Sequence, residues 1–317
     1  MNSHNVQYSV VVPVYNSEGS LGILYERLSG VFNSLGGAWE LILVNDCSKD
    51  KSWAVMRELA SKDSRITAIN LANNFGQHSA VICGLSYVSG EYVITLDDDL
   101  QHPPEEIPKL IKTIKDGGYS VVYGQYQSRR YKWFKNACSI ALNKLISKIT
   151  GSGYIATTFR ILTKSVAEKL TGFKQHNVIV DVLIKDIVSK RDVGHVAVEH
   201  HERGIGSSSY SYGKLFAHAL NMIFNYTVWP LRLATILGLV LSLLSISLGM
   251  YFFVDYFINR VPVAGFTTIM VVMAFLFGMI LFVLGIIGEY IGRIFLNINQ
   301  KPQFCVKEVY GRGKLNA

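Results

Sequence analysis

Val93-Ile94-Thr95-Leu96-Asp97-Asp98-Asp99-Leu100-Gln101-His102-Pro103-Pro104-Glu105-Glu106 decides how the first half of the chain is read. An apolar run of β type ends in three consecutive carboxylates, and a Gln, a His and two prolines follow at once. Carboxylates crowded on a strand tip repel one another unless a cation sits among them. Hard divalent ions such as Mg2+ take oxygen ligands, often one or two carboxylates plus substrate phosphates. Side chains alternate along a strand, so Asp97 and Asp99 share one face and Asp98 points to the other. A continued extended path brings Gln101 onto the first face, which offers Asp97, Asp99 and Gln101 to one metal. The plainer reading is a solvated acidic turn between strand and helix. Three carboxylates in a row after so apolar a strand favour the metal.

Strand and helix alternate around this segment. Tyr8 to Val14 is a continuous apolar run of strand length, and Trp39 to Val44 and Ile66 to Leu71 read as further strands. Leu21, Leu24, Leu28, Val31, Phe32 and Leu35 recur at helical spacing, and further helices are expected over Trp53–Ala60, His78–Val88 and Ile107–Ile114. Val121 to Tyr123 reads as a short strand. The alternation predicts an α/β fold with a parallel sheet covered on both faces. Ligands of such sheets bind at the carboxyl ends of the strands. The polar groups gather at those ends: Asn16 and Glu18, Asp46 and Asp50, Asn73 and Asn74, then Asp97 to Asp99. No G-x-G-x-x-G follows the first strand and no G-x-x-x-x-G-K-[ST] occurs, which excludes a glycine phosphate cradle. Asp46 stands where it accepts from a base N–H, or equally where a turn or helix N-cap residue belongs.

The chain has 317 residues, 50% of them hydrophobic, and a formal net charge of +8. Nucleic acid is not the expected partner, because no basic helix or RNP-like aromatic motif is visible. Attraction to an anionic membrane face fits the hydrophobic C-terminal third better. Leu233–Phe253 and Phe266–Ile287 carry no charge and are long enough to span a bilayer. Arg293, Lys301, Lys307, Arg312 and Lys314 follow, which places the tail in the cytoplasm, and two spans return the N-terminal part there too. Lys214–Tyr226 has the spacing of an interfacial amphipathic helix. The expected division is therefore a cytoplasmic catalytic domain over 1–210, an interfacial helix over 211–230, two transmembrane helices over 231–292 and a cytoplasmic tail over 293–317. Gly285, Gly288 and Gly292 permit close helix packing, which leaves room for a homo-oligomer. Cys47, Cys83, Cys138 and Cys305 are scattered without a C-x-x-C pair and read as reduced thiols. Met1–Gln7 is polar and offers no signal-peptide pattern.

Taken in order, Pro13-Val14-Tyr15-Asn16, Asn45-Asp46-Cys47-Ser48-Lys49-Asp50, Asn74-Phe75-Gly76-Gln77-His78-Ser79-Ala80 and the Asp97–Glu105 segment resemble the family 2 glycosyltransferases of GT-A fold. Within these they look like the polyisoprenyl-phosphate glycosyltransferases. The resemblance continues through Glu202-Arg203-Gly204-Ile205-Gly206-Ser207-Ser208-Ser209-Tyr210 to the two hydrophobic spans, and so covers nearly the whole chain. It implies a Rossmann-like mixed sheet and a bacterial inner-membrane enzyme. The donor is a nucleotide sugar, UDP-linked by resemblance to the bacterial branches, and the acceptor is a polyprenyl phosphate. It also implies roles. Asp46 contacts the uracil, with Pro13, Tyr15, Glu18 and Asp98 around the nucleotide sugar. Asp97, Asp99 and Gln101 hold Mg2+ or Mn2+ on the diphosphate. Arg160 and Arg203, with Ser208, hold the lipid phosphate. Thr158 stands where relatives often carry an acidic residue and Ser209 where they tend to have Lys, which leaves the sugar open.

Three rival functions are weaker. A processive polysaccharide synthase needs more spans and a Q-x-x-R-W motif. A non-enzymatic scaffold does not need an intact Asp97-Asp98-Asp99-Leu100-Gln101. Two spans are too few for a flippase path.

Overall fold

The computed structural model describes residues 6–126, 157–174, 179–199, 229–259, 265–298 and 302–311. The chain divides into two compact units, Met1–Ser209 with Gln300–Ala317 and Tyr210–Asn299.

The first unit is built on a mixed eight-stranded sheet. Its elements are β1 (Tyr8–Val14), α1 (Leu21–Leu35), β2 (Trp39–Asn45), α2 (Ser52–Lys62), β3 (Ile66–Leu71), α3 (Gln77–Leu85), β4 (Tyr92–Thr95), α4 (Ile107–Gly117), β5 (Val121–Tyr126), β6 (Arg160–Thr163), α5 (Lys164–Thr171), α6 (Val180–Ile187), β7 (Val193–Val198) and β8 (Val306–Gly311). The strand order is β7-β5-β6-β4-β1-β2-β3-β8. Strands β3, β2, β1 and β4 run parallel, and β6 and β8 enter antiparallel on either side. The expected parallel sheet is thus the centre of a larger mixed one.

Alternation explains how each strand buries both faces. In β1, Val10, Val12 and Val14 enter one core, and Val11 enters the other. In β2, Leu41 and Leu43 face the first, while Ile42 and Val44 face the second. A strand buried on both sides must be predominantly apolar, which is why these strands are visible in the sequence. Helix α1 covers the first core with Leu21, Leu24, Leu28 and Phe32, all buried. Each such side chain contributes roughly 1.5–3 kcal/mol relative to exposure. Helix α3 lies so close on the other face that a Cβ on Gly84 would stand 2.4 Å from Val11 Cγ1.

Pro13 sits in the middle of the sheet, where a residue without an N–H is normally excluded. The register removes the conflict. The last β1–β4 pair is Val11 with Thr95, so at Pro13 the β4 side of β1 is already free and only β2 is paired. β4 leaves the ladder just before its carboxylates, which opens the end of the sheet where they lie.

The expected cytoplasmic tail differs from what forms. Residues 293–298 complete a long helix, and Val306–Gly311 is the eighth strand, antiparallel to β3. The Ala72 N–H donates to the Cys305 carbonyl at 2.8 Å. Phe304, Val306 and Val309 pack on the second core, and Arg57 of α2 lies 5.3 Å from the centre of the Tyr310 ring. The adjacent charges Lys307 and Glu308 hide the strand's period.

The second unit contains α7 (Trp229–Asn259) and α8 (Phe266–Ile298), of 31 and 33 residues. At 1.5 Å per residue each is longer than the ~30 Å hydrocarbon layer. Among the described residues, Phe275–Gly292 is long and apolar enough to cross a membrane, with mean hydropathy 2.1, and Pro230–Leu241 is a shorter apolar stretch. The sequence expectation of two spans therefore meets one by this measure. The interfacial helix expected over Lys214–Tyr226 lies outside the described residues.

Candidate active site

The carboxyl ends of β1, β2 and β4 carry three backbone irregularities. Asn16, Cys47 and Leu100 have φ of 54°, 56° and 62°, and among the described residues they are the non-glycine residues with positive φ. Such conformations cost on the order of 1–3 kcal/mol and collect at functional sites. Here each turns the chain sharply after a parallel strand.

The loops after β1 and β2 are tied by reciprocal hydrogen bonds. The Asn16 N–H donates to Ser48 Oγ at 3.0 Å, and Asn16 Oδ1 accepts from the Lys49 N–H at 2.8 Å. The Glu18 N–H donates to Asp50 Oδ2 at 3.1 Å, and Glu18 Oε2 accepts from the Lys51 N–H at 2.8 Å. Tyr15 leaves this frame 46% exposed. Pro13 is buried inside β1. Of the residues expected around a nucleotide, then, Tyr15 and Glu18 are accessible and Pro13 is not.

Asp46 is 3% exposed, and both its oxygens are engaged by backbone. Oδ1 accepts from the Phe75 N–H at 2.7 Å and Oδ2 from the Gly76 N–H at 2.8 Å. Burial pushes its pKa up, and the two N–H bonds pull it back. Gly76, at φ 87°, gives the loop the turn that aims both amides at one carboxylate. Of the two readings open in the sequence, this geometry matches the turn residue.

Asp98 also supports backbone, since its Oδ2 accepts from the Tyr15 N–H at 3.0 Å and so fixes the start of the β1 loop. Asp97 is held by side chains. Gln77 Nε2 donates to its Oδ1 at 2.5 Å, and Thr158 Oγ1 to its Oδ2 at 2.6 Å. Burial first, opposed by the Thr158 bond and reinforced by the neighbouring charges of Asp99 and Asp98, raises its pKa to about 7.

Among the described residues His102 joins the expected ligands Asp97 and Asp99, while the chain around Gln101 does not follow the expected extended path. The extended path ends at Thr95, and Leu100 then reverses the chain. The Gln101 N–H turns back to Asp99 Oδ1 at 3.1 Å. The group whose ligand-type atoms lie within 4.8 Å of one another is Asp97, Asp99 and His102. Two carboxylates with a neighbouring imidazole, their ligand-type atoms close together, fit a divalent cation of the Mg2+ or Mn2+ type.

Arg160, expected to hold the lipid phosphate, is buried. As first residue of β6 it pairs with Thr95, is 1% exposed, and is ion-paired with Asp181 of α6. Its Nε donates to Thr95 Oγ1 at 3.2 Å, and Thr95 Oγ1 donates to the Thr158 carbonyl at 2.7 Å. A buried charge requires such a partner. Arg160 thereby braces the Thr158 end of the site from beneath. Arg203 and Ser208 lie outside the described residues. Sequence reasoning gave no role to Gln77, Thr158 or Asp181. Their roles come from long-range approaches, and only the preceding Gly76 signals a turn that delivers Gln77.

Residues 9–170 match the glycosyl transferase family 2 domain, and residues 229–294 match the GtrB C-terminal hairpin. The chain is 34% identical to the undecaprenyl-phosphate 4-deoxy-4-formamido-L-arabinose transferase of Photorhabdus laumondii over 97% of this chain and 95% of that protein. The transferase of the same name from Edwardsiella ictaluri is also 34% identical, over 95% and 93%. Among solved structures, glucosyl-3-phosphoglycerate synthase from Mycobacterium tuberculosis, in complex with Mn2+ and UDP-glucose, aligns with a TM-score of 0.52 at 18% identity. The alignment covers 69% of this chain and 77% of that one, and shows the shared GT-A fold. With the matched domain spanning β1 through α5 and the carboxylates at its strand ends, the chain belongs to glycosyl transferase family 2 and is a glycosyltransferase.

Proposed function

We propose that this glycosyltransferase moves a sugar from a UDP-linked donor to the phosphate of undecaprenyl phosphate at the inner face of a bacterial plasma membrane. The product is a lipid-phosphate-linked sugar for envelope glycan or lipopolysaccharide modification. The observation that carries the reading is the Asp97–Asp99 pair at the open end of the parallel strands, beside the loops after β1 and β2. The names of the full-length relatives support the acceptor.

Asp97 and Asp99 would hold Mg2+ or Mn2+, with His102 in the same cluster. When bound, the cation supplies Lewis-acid stabilisation of charge on the departing nucleotide diphosphate. Tyr15 and Glu18 line the donor side. Asp46 and Asp98 keep the surrounding backbone in place through the bonds to residues 75, 76 and 15. The acceptor phosphate is already anionic, so no strong general base is required, and Asp98 is free to remain a backbone acceptor. A single displacement at the anomeric carbon inverts it. Arg160, Arg203 and Ser208 are the sequence candidates for the lipid phosphate, and of these Arg160 is buried against Asp181.

The β3–β8 pairing supports two crossings. The chain leaves the catalytic sheet, passes through α7 and α8, and returns to the same sheet as β8. Strands paired in one sheet lie on one side of a membrane, so the number of crossings between them is even. Crossing of α7 together with α8 gives that even number.

The test is incubation of purified protein with undecaprenyl phosphate and a panel of nucleotide sugars, with product mass as the readout. A mass gain of one glycosyl unit, lost in EDTA and restored by Mn2+ or Mg2+, is expected. Full turnover in EDTA overturns the metal reading. A reporter fused after Ala317 should behave as cytoplasmic, and periplasmic activity overturns the topology.

A further inference from the structure

We propose that Gln77 and Thr158 are positioning residues that set the metal affinity of Asp97. This rests on the metal reading above.

Each oxygen of Asp97 receives one side-chain donor, Gln77 at 2.5 Å and Thr158 at 2.6 Å. The two donors come from opposite flanks. Gln77 opens α3, directly after the loop whose Phe75 and Gly76 amides are fixed on Asp46. Thr158 stands two residues before β6, and its carbonyl is anchored by Thr95 Oγ1. Its neighbour Thr157 is anchored as well, donating to the Gly124 carbonyl at 2.8 Å. Both donors are therefore mounted on backbone that is itself fixed. A carboxylate so held loses little freedom on meeting a cation, and each oxygen keeps a lone pair for it. Asp99 Oδ1 accepts from the Gln101 N–H.

Partners that orient a metal ligand typically change metal affinity by 10–100-fold when removed. Thr158→Val keeps the shape and deletes the hydroxyl, and Thr158→Ser keeps the hydroxyl. Gln77→Met deletes the amide donor at similar length.

The measurement is Mn2+ affinity of the full chain without nucleotide, from the free Mn2+ signal in electron paramagnetic resonance. Thermal unfolding midpoints are recorded alongside. Thr158→Val and Gln77→Met should each weaken Mn2+ about tenfold, while Thr158→Ser binds as the wild type does. Wild-type affinity in both Thr158→Val and Gln77→Met overturns the proposal. Equal weakening in Thr158→Ser and Thr158→Val removes Thr158 from it, since the hydroxyl would then not matter. If Thr158→Val does not fold, Gln77→Met carries the test alone. A wild-type protein that binds no Mn2+, or an Asp99→Ala variant that binds it normally, overturns the underlying metal reading instead.

Discussion

Two acidic strand ends of one sheet differ in what holds them. After β2, Asp46 gives both oxygens to backbone amides, at 2.7 and 2.8 Å. After β4, Asp97 gives both to side chains, and two more carboxylates stand beside it. Burial raises the pKa of each. A carboxylate bonded to backbone fixes the fold around it, and its removal strands N–H groups. A carboxylate held by side chains next to like charges is a cost the folded chain carries in exchange for chemistry. The two strand ends thus divide the work, with β2 supplying shape and β4 supplying charge.

The division predicts opposite outcomes for the two carboxylates. Asp99→Ala should reduce transfer to undecaprenyl phosphate by on the order of 10²–10³, the scale seen when one electrostatic stabiliser of a transition state is removed. The unfolding midpoint should stay or rise, because one of three crowded like charges is gone. Turnover by product mass and thermal unfolding of the same preparation check both halves. A midpoint that falls sharply with Asp99→Ala would break the comparison, since β4's carboxylates would then hold the fold as well.

Asp46→Ala should show the reverse weighting. It leaves the Phe75 and Gly76 amides without their acceptor, and each half-buried N–H left unmet costs about 1–3 kcal/mol. A loss of about 2 kcal/mol lowers the midpoint of a domain this size by roughly 4–8 °C. Asp46→Asn, which keeps one acceptor oxygen, should lose less. If both variants unfold like the wild type but no longer bind donor, Asp46 reads the base and the structural assignment fails.

The legibility of the chain follows the same physics. Strands β1, β2 and β3 are plain in the sequence because burial on both faces makes them predominantly apolar. β8 is not, because its burial is partial and Lys307-Glu308 interrupts it. The expectation for Gln101 rested on continued strand geometry. Leu100 ends that geometry at φ 62° with a residue type that gives no warning of it, unlike Gly or Asn. Asp97 and Asp99 were legible as a pair because three adjacent acids after an apolar strand have few other uses. The burial of Arg160 was not, because its partner Asp181 lies on a helix 21 residues away in sequence. Buried ion pairs between distant elements leave no local pattern.

The smallest effect sharpens the comparison most finely. Glu18 joins the two loops that frame the donor side, accepting from the Lys51 N–H while its own N–H reaches Asp50. It is exposed, so its side chain is available to a ligand as well as to the frame. Glu18→Gln keeps an acceptor oxygen for Lys51 and removes the charge. As a frame residue, Glu18 should tolerate the change within about 0.5 kcal/mol, the usual range for surface substitutions. Donor KM and kcat should then both stay near wild type. As a donor-binding residue, it should alter donor KM while the midpoint and the lipid-phosphate KM hold. Asp50→Asn, in the same network on the β2 side, serves as the control, because its oxygens accept from the Glu18 and Ser52 N–H groups. A KM change specific to Glu18→Gln assigns the charge to the donor, and equal small changes in both variants assign it to the frame. The first result would extend the chemical role of β4 to the loop after β1, while β2 would keep its structural one.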